Sequence, residues 1–133
     1  MKTASRAVSF CCGLLVLYTD LASLLSGMPD YRAAWVKALC WIATVSLFAG
    51  ALTASRIGNC LIILGSAAVL SIYVADAARL LLLRLGYAHT RARLVVMHDI
   101  PRWRIAFDRP VFVLLFFFAI ASLVLALARC RSE

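Results

Sequence analysis

The chain has 133 residues, of which 65% are hydrophobic and only 15% charged, and its formal net charge is +8. That is too little polar surface to close a soluble globule, so a soluble catalytic domain is excluded and lipid is expected to cover the difference. The fourteen basic residues sit mainly at the ends of apolar runs, where headgroup attraction and loop charge bias place them, rather than in a stripe interleaved with stacking aromatics; nucleic acid is excluded as a partner.

The first apolar segment runs over 7–26. Lys2 and Arg6 followed by AVSFCCGLLVLY imitate a secretory signal, but the run continues to Leu25, contains Asp20 and lacks an A-x-A site. It reads as a retained first helix. Gly27, Met28 and Pro29 break it, and the short connection that follows predicts a helical hairpin with the second segment, 34–54. There Ser46, Gly50 and Ala54 recur every four residues, a stripe of small side chains of the kind that lets helices approach in lipid. Ser55, Arg56, Gly58 and Asn59 predict a tight turn. The third segment, 57–83, is apolar for about twenty residues, enough to cross a hydrocarbon core of roughly 30 Å, and repeats the small stripe at Ala67, Ser71 and Ala75. These two stripes are expected to pack on each other.

Asp76, Arg79 and Arg84 then carry the chain into a basic stretch, residues 90–110. Trp103, Ile105 and Phe107 alternate there with Arg102, Arg104 and Asp108, which suggests a small hairpin at the membrane interface, with an interfacial helix over 91–98 as the competing reading. Arg91, Arg93, Arg102, Trp103, Arg104 and Phe107 are its candidate contacts to anionic headgroups or a partner protein. The fourth segment, 111–128, follows Pro110. It is rich in Leu, Val and Phe, and Ala119, Ser122 and Ala126 offer its one small face.

The resulting expectation is an all-α membrane protein of four transmembrane helices in a single domain. Loops one and three hold eight Lys or Arg residues (Arg32, Lys37, Arg84, Arg91, Arg93, Arg102, Arg104 and Arg109) against Lys2, Arg6, Arg56, Arg129 and Arg131 opposite, which places those loops on the cytoplasmic or matrix side of a bacterial or organellar inner membrane.

Three constellations bear on chemistry. Asp20 lies about 9 Å of helix from the end of its segment. A carboxylate there is protonated, paired or facing a wet interior. Asp76 and Arg79 leave the membrane on the same side, so Asp20–Arg79 and Asp76–Arg79 are the candidate ion pairs, and the three residues are the candidate proton path. The five cysteines show no zinc or redox spacing and read chiefly as small apolar fillers, a disulfide between residues such as Cys60 and Cys130 being the alternative. His89 and His98 fall in the basic loop, and no cofactor or metal site is expected. Sparse intramembrane polarity with two packing stripes points to a non-catalytic subunit of a larger membrane complex of energy-transducing, secretion or transport type; the alternative is a small homo-oligomeric transporter or channel that uses Asp20, with a redox subunit a distant third.

Overall fold

The computed structural model describes residues 2–25, 34–84 and 110–132. All of their regular structure is helical: α1 (Lys2–Leu25), α2 (Ala34–Leu52), α3 (Arg56–Arg84) and α4 (Pro110–Ser132). Each of the four is long and apolar enough to cross a membrane, an architecture compatible with an integral multi-pass membrane protein. The basic loop, with Arg91, Arg93, Arg102, Trp103, Arg104 and Phe107, lies outside the described residues, as do the side chains of Asp76 and Arg79 on α3.

Local chemistry sets the ends of the elements. The expected turn around Ser55–Asn59 is shifted. Thr53 N–H still donates to Ala49 O at 3.0 Å, and Ser55 caps α3, its hydroxyl accepting from Gly58 N–H at 3.4 Å and its carbonyl from Asn59 N–H at 3.2 Å. Arg56, Gly58 and Asn59 therefore belong to the helix. Pro110 opens α4, where its missing N–H leaves no bond unmade. α1 starts five residues earlier than expected and α4 ends four later, which brings Ser5 and Arg6 at one terminus and Arg129 and Cys130 at the other into helical register.

The helices close into a ring in which α1 packs on α2, α2 on α3, α3 on α4 and α4 on α1. Neighbours run antiparallel. The start of α1 meets the end of α2 through Arg6 and Ala51, the start of α3 meets the end of α4 through Asn59 and Ala126, and at the opposite end Tyr73 of α3 reaches Phe112 of α4. We call the end that holds the start of α1, the Ser55 turn and the end of α4 the terminal end.

Small and branched aliphatic side chains fill the inside, and many of the large apolar ones face outward. The core at mid-height is Cys12 and Val16 of α1, Cys40, Ala43 and Leu47 of α2, Ala68 and Val69 of α3, and Leu115 and Ala119 of α4. Phe10, Tyr18, Trp41, Val45, Leu64, Val74, Phe117 and Val124 face outward. The small face expected on α4 is buried, with Ala119, Ser122 and Ala126 fully covered.

The α2–α3 interface is tighter than the stripes imply and uses a different face of α3. Ser46 and Gly50 are buried, whereas Ala54 is exposed in the connection, Ala67 and Ser71 are exposed, and Ala75 is only half-buried. Gly58, Ile62 and Gly65 make the contact instead. A methyl group at Gly50 would lie 2.6 Å from Gly58 O and 2.9 Å from Ile62 N, and one at Gly65 would lie 2.7 Å from the Leu47 side chain and 3.1 Å from Ala43 O. Ala67 follows Gly65 by two residues, about 200° around the helix, so one face meets α2 and the other is turned outward. The Ser71 hydroxyl is satisfied on its own helix, donating to Ala68 O at 2.7 Å.

Candidate functional site

The polar groups of the interior concentrate at the terminal end. Ser5, Ser9, Cys12, Val16 and Asp20 follow one another at helical spacing along the inner face of α1, and Leu115, Ala119, Ser122, Ala126 and Arg129 do the same on α4. Where these faces meet that of α3, three hydroxyls from three helices join. Ser66 donates to Ser122 Oγ at 3.0 Å, and Ser122 and Ser9 Oγ are 2.8 Å apart. Ser9 also contacts Ser5 O at 2.7 Å, and a carbonyl only accepts, so the single Ser9 proton is used there. Ser122 must then donate to Ser9. The chain consequently runs one way, from Ser66 through Ser122 and Ser9 to the Ser5 carbonyl, and each bond polarises the next.

Closer to the terminal end, Asn59 is 2% exposed and its amide N–H2 is fully used, one bond going to Ala126 O at 2.9 Å and one to Cys130 Sγ at 3.0 Å. Arg129 is 3% exposed. Arg6 reaches sideways across the α1–α2 interface, donating from Nε to Ala51 O at 2.6 Å and from Nη2 to Leu52 O at 3.3 Å. These are carbonyls of the last turn of α2, which lack partners inside their own helix, so the guanidinium both caps the helix and sits at the negative end of its dipole.

At the other end the polar groups are fewer. Asp20 is 5% exposed and faces inward, one turn beyond Val16. Tyr73 donates to Phe112 O at 2.8 Å, and its ring meets Phe116 edge-on, with centroids 5.2 Å apart. Between Asp20 and the hydroxyl chain lies the apolar core. None of the five cysteines is in a disulfide: Cys12 and Cys40 are buried, and Cys11, Cys60 and Cys130 are exposed. Among the described residues no three His, Cys, Asp or Glu side chains converge as a metal site would require.

Two open concavities mark the outer surface. One, of about 400 Å³, follows the α1–α4 seam and is lined by Cys11, Leu14, Leu15, Tyr18, Leu114 and Phe118. The other, of about 290 Å³, follows the α3–α4 seam at Tyr73, Ala77, Phe112, Val113 and Phe116.

Of the residues singled out by sequence, the structure buries Asp20 and Ser46 and puts Gly50 in the α2–α3 contact. Ser122, read from sequence only as part of a small packing face, is the central member of the hydroxyl chain, and Asn59, read as a turn residue, belongs to the same cluster. Ser9, Ser66, Arg6 and Arg129, none of them a site residue by sequence alone, complete that cluster. Their signal was the repetition of polar residues on one face of each apolar run: Ser5 and Ser9 four apart, Asn59 and Ser66 seven apart, Ser122 and Arg129 seven apart. The chain matches no protein-family model, no curated protein and no solved structure.

Proposed function

We propose that this chain is an integral multi-pass membrane protein that acts as a non-catalytic subunit, packing into and stabilising a larger membrane assembly of energy-transducing, secretion or transport type. The observation that carries this reading is the filled interior. At mid-height Cys12, Val16, Ala43, Leu47, Val69, Leu115 and Ala119 close the ring with apolar side chains, while the hydroxyls nearer the terminal end bond helix to helix. The large side chains and both concavities are on the outside, where neighbouring helices or lipid acyl chains would meet them.

The test is native mass spectrometry of the particle extracted in mild detergent. Other membrane proteins in fixed ratio are expected, and Gly50→Leu, which forces α2 away from α3, is expected to dissociate them. A chain that emerges as a homo-oligomer alone and moves a solute would overturn the proposal.

The second reading, a small homo-oligomeric transporter or channel, rests on Asp20, a carboxyl group buried inside the ring one turn past the apolar core residue Val16. Asp20→Asn decides between the two. Under the subunit reading solute movement by the assembly is unchanged; under the transporter reading it is abolished with the fold intact.

A further inference from the structure

We propose that the terminal end of the bundle binds water internally at Ser5 and Asn59, and that this hydration stops at the Ser66–Ser122–Ser9 hydroxyl layer. Ser5 is 1% exposed and Asn59 2%, yet Ser5 Oγ and Asn59 Oδ1 are buried without a hydrogen-bond partner in the protein. Such atoms occur rarely, because each costs on the order of 1–3 kcal/mol unless a partner is supplied. Both sit on the terminal side of the hydroxyl chain, Ser5 one turn from Ser9 and Asn59 two turns from Ser66. Ser122 touches both Ser9 and Ser66, so α1 and α3 approach within one hydroxyl of each other across the ring at that height.

The chemistry of the open positions selects the ligand. Both hydrogens of the Asn59 amide are taken by Ala126 O and Cys130 Sγ, leaving only the lone pairs of Oδ1, which repel an anion. Exchanging the amide N and O would set two oxygens against each other at Ala126, so the orientation is fixed by the network. A cation is disfavoured as well. Lys2, Arg6, Arg56, Arg129 and Arg131 all belong to this end, while Asp20 and Asp76, the acids among the described residues, lie towards the other. What remains is a small neutral molecule that donates to Oδ1 and exchanges bonds with the Ser5 hydroxyl, and water does both. Just beyond the hydroxyl layer Val16, Leu47, Val69 and Leu115 offer nothing for water to bond to and Cys12 only a weakly bonding thiol; the next buried polar group on α1, Asp20, lies one turn past Val16.

The sequence supplies a probe. Asn59 is its sole asparagine and it contains no glutamine, so this chain gives a single side-chain amide nitrogen signal. In water-edited solid-state NMR of the labelled protein in lipid bilayers, magnetisation from water is expected to reach the Asn59 amide and the Ser5 side chain several-fold faster than Val16 or Leu115. Ser5→Ala is expected to slow the transfer to Asn59. Build-up at Asn59 in the unmodified protein as slow as at Leu115 overturns the site. Build-up at Val16 as fast as at Asn59 overturns the stated depth, since water would then pass the hydroxyl layer. Either result is independent of what co-purifies with the chain and so leaves the subunit reading to its own test.

Discussion

Replacing Gly50 by alanine adds one methyl group in the last turn of α2, a change favourable by at most about 0.5–1 kcal/mol, the helix-interior value, where space allows. Here the methyl would lie 2.6 Å from Gly58 O, 2.7 Å from Ile62 Cγ1 and 2.9 Å from Ile62 N. The Ile62 methylene can rotate aside, but the two backbone atoms cannot. A relaxed carbon–oxygen contact is about 3.3 Å, so α2 and α3 would have to part by about 0.7 Å. Overpacking of this kind costs about 1–3 kcal/mol, and with backbone on both sides of the clash the expected loss is about 2 kcal/mol. The propensity gain offsets little of it if α2 stays helical in the membrane-bound unfolded state.

Gly13→Ala supplies the control. Its methyl would sit 3.4 Å from Leu47 Cβ and 3.5 Å from the Phe48 ring, close to ordinary contact, so a change within about 0.5 kcal/mol is expected. Unfolding of both variants by dodecyl sulfate titration in mild-detergent micelles, followed by near-ultraviolet circular dichroism, which reports packing around the aromatic side chains, measures the difference. Equal midpoints for Gly50→Ala and Gly13→Ala would refute the close approach of the two backbones.

Three further outcomes follow from the polar contacts. Arg6→Gln removes the charged cap from Ala51 O and Leu52 O and is expected to cost about 1–2 kcal/mol in the same titration, with earlier amide exchange in the last turn of α2. Ser122→Ala breaks two interhelical bonds and should cost about 1 kcal/mol, within the range such bonds show in membranes; added to Ser9→Ala it should be less than additive, because the two share a bond. Tyr73→Phe keeps the edge contact to Phe116 and loses only the bond to Phe112 O, so a loss of about 0.5–1 kcal/mol is expected, measured as a midpoint shift.

The four helices were legible because apolar runs of about twenty residues separated by breakers leave little choice of element, and the buried face of α4 was legible because Ala119, Ser122 and Ala126 are the small residues among phenylalanines and leucines. The face of α3 was not. Ala67, Ser71 and Ala75 satisfy the same size rule as Gly58 and Gly65, and size alone does not say which stripe meets a neighbour; the backbone contact at Gly50 decides it. Asp20 drew attention because a carboxylate in an apolar run is conspicuous. Serines are not, since one hydroxyl is readily absorbed by its own helix, as at Ser71 and Thr44. Ser66 and Ser122 become a site only once three helices face each other. Arg6 and Arg129 lie near the ends of apolar runs, where a basic residue ordinarily marks an interface, and their inward or sideways reach depends on helices that continue past the expected boundaries.

The connection between α2 and α3 has a consequence for the order of assembly. Only Thr53, Ala54 and Ser55 separate the two helices, and the Gly50–Gly58 contact closes eight residues of chain, so this hairpin can form as soon as α3 has been synthesised. The Ser9–Ser122 bond joins residues 113 apart and waits for α4. Until then the inner face of α1, with Ser9 and Asp20, has no fourth wall, and a nascent chain stalled before residue 110 would present that face to whatever membrane protein is nearby.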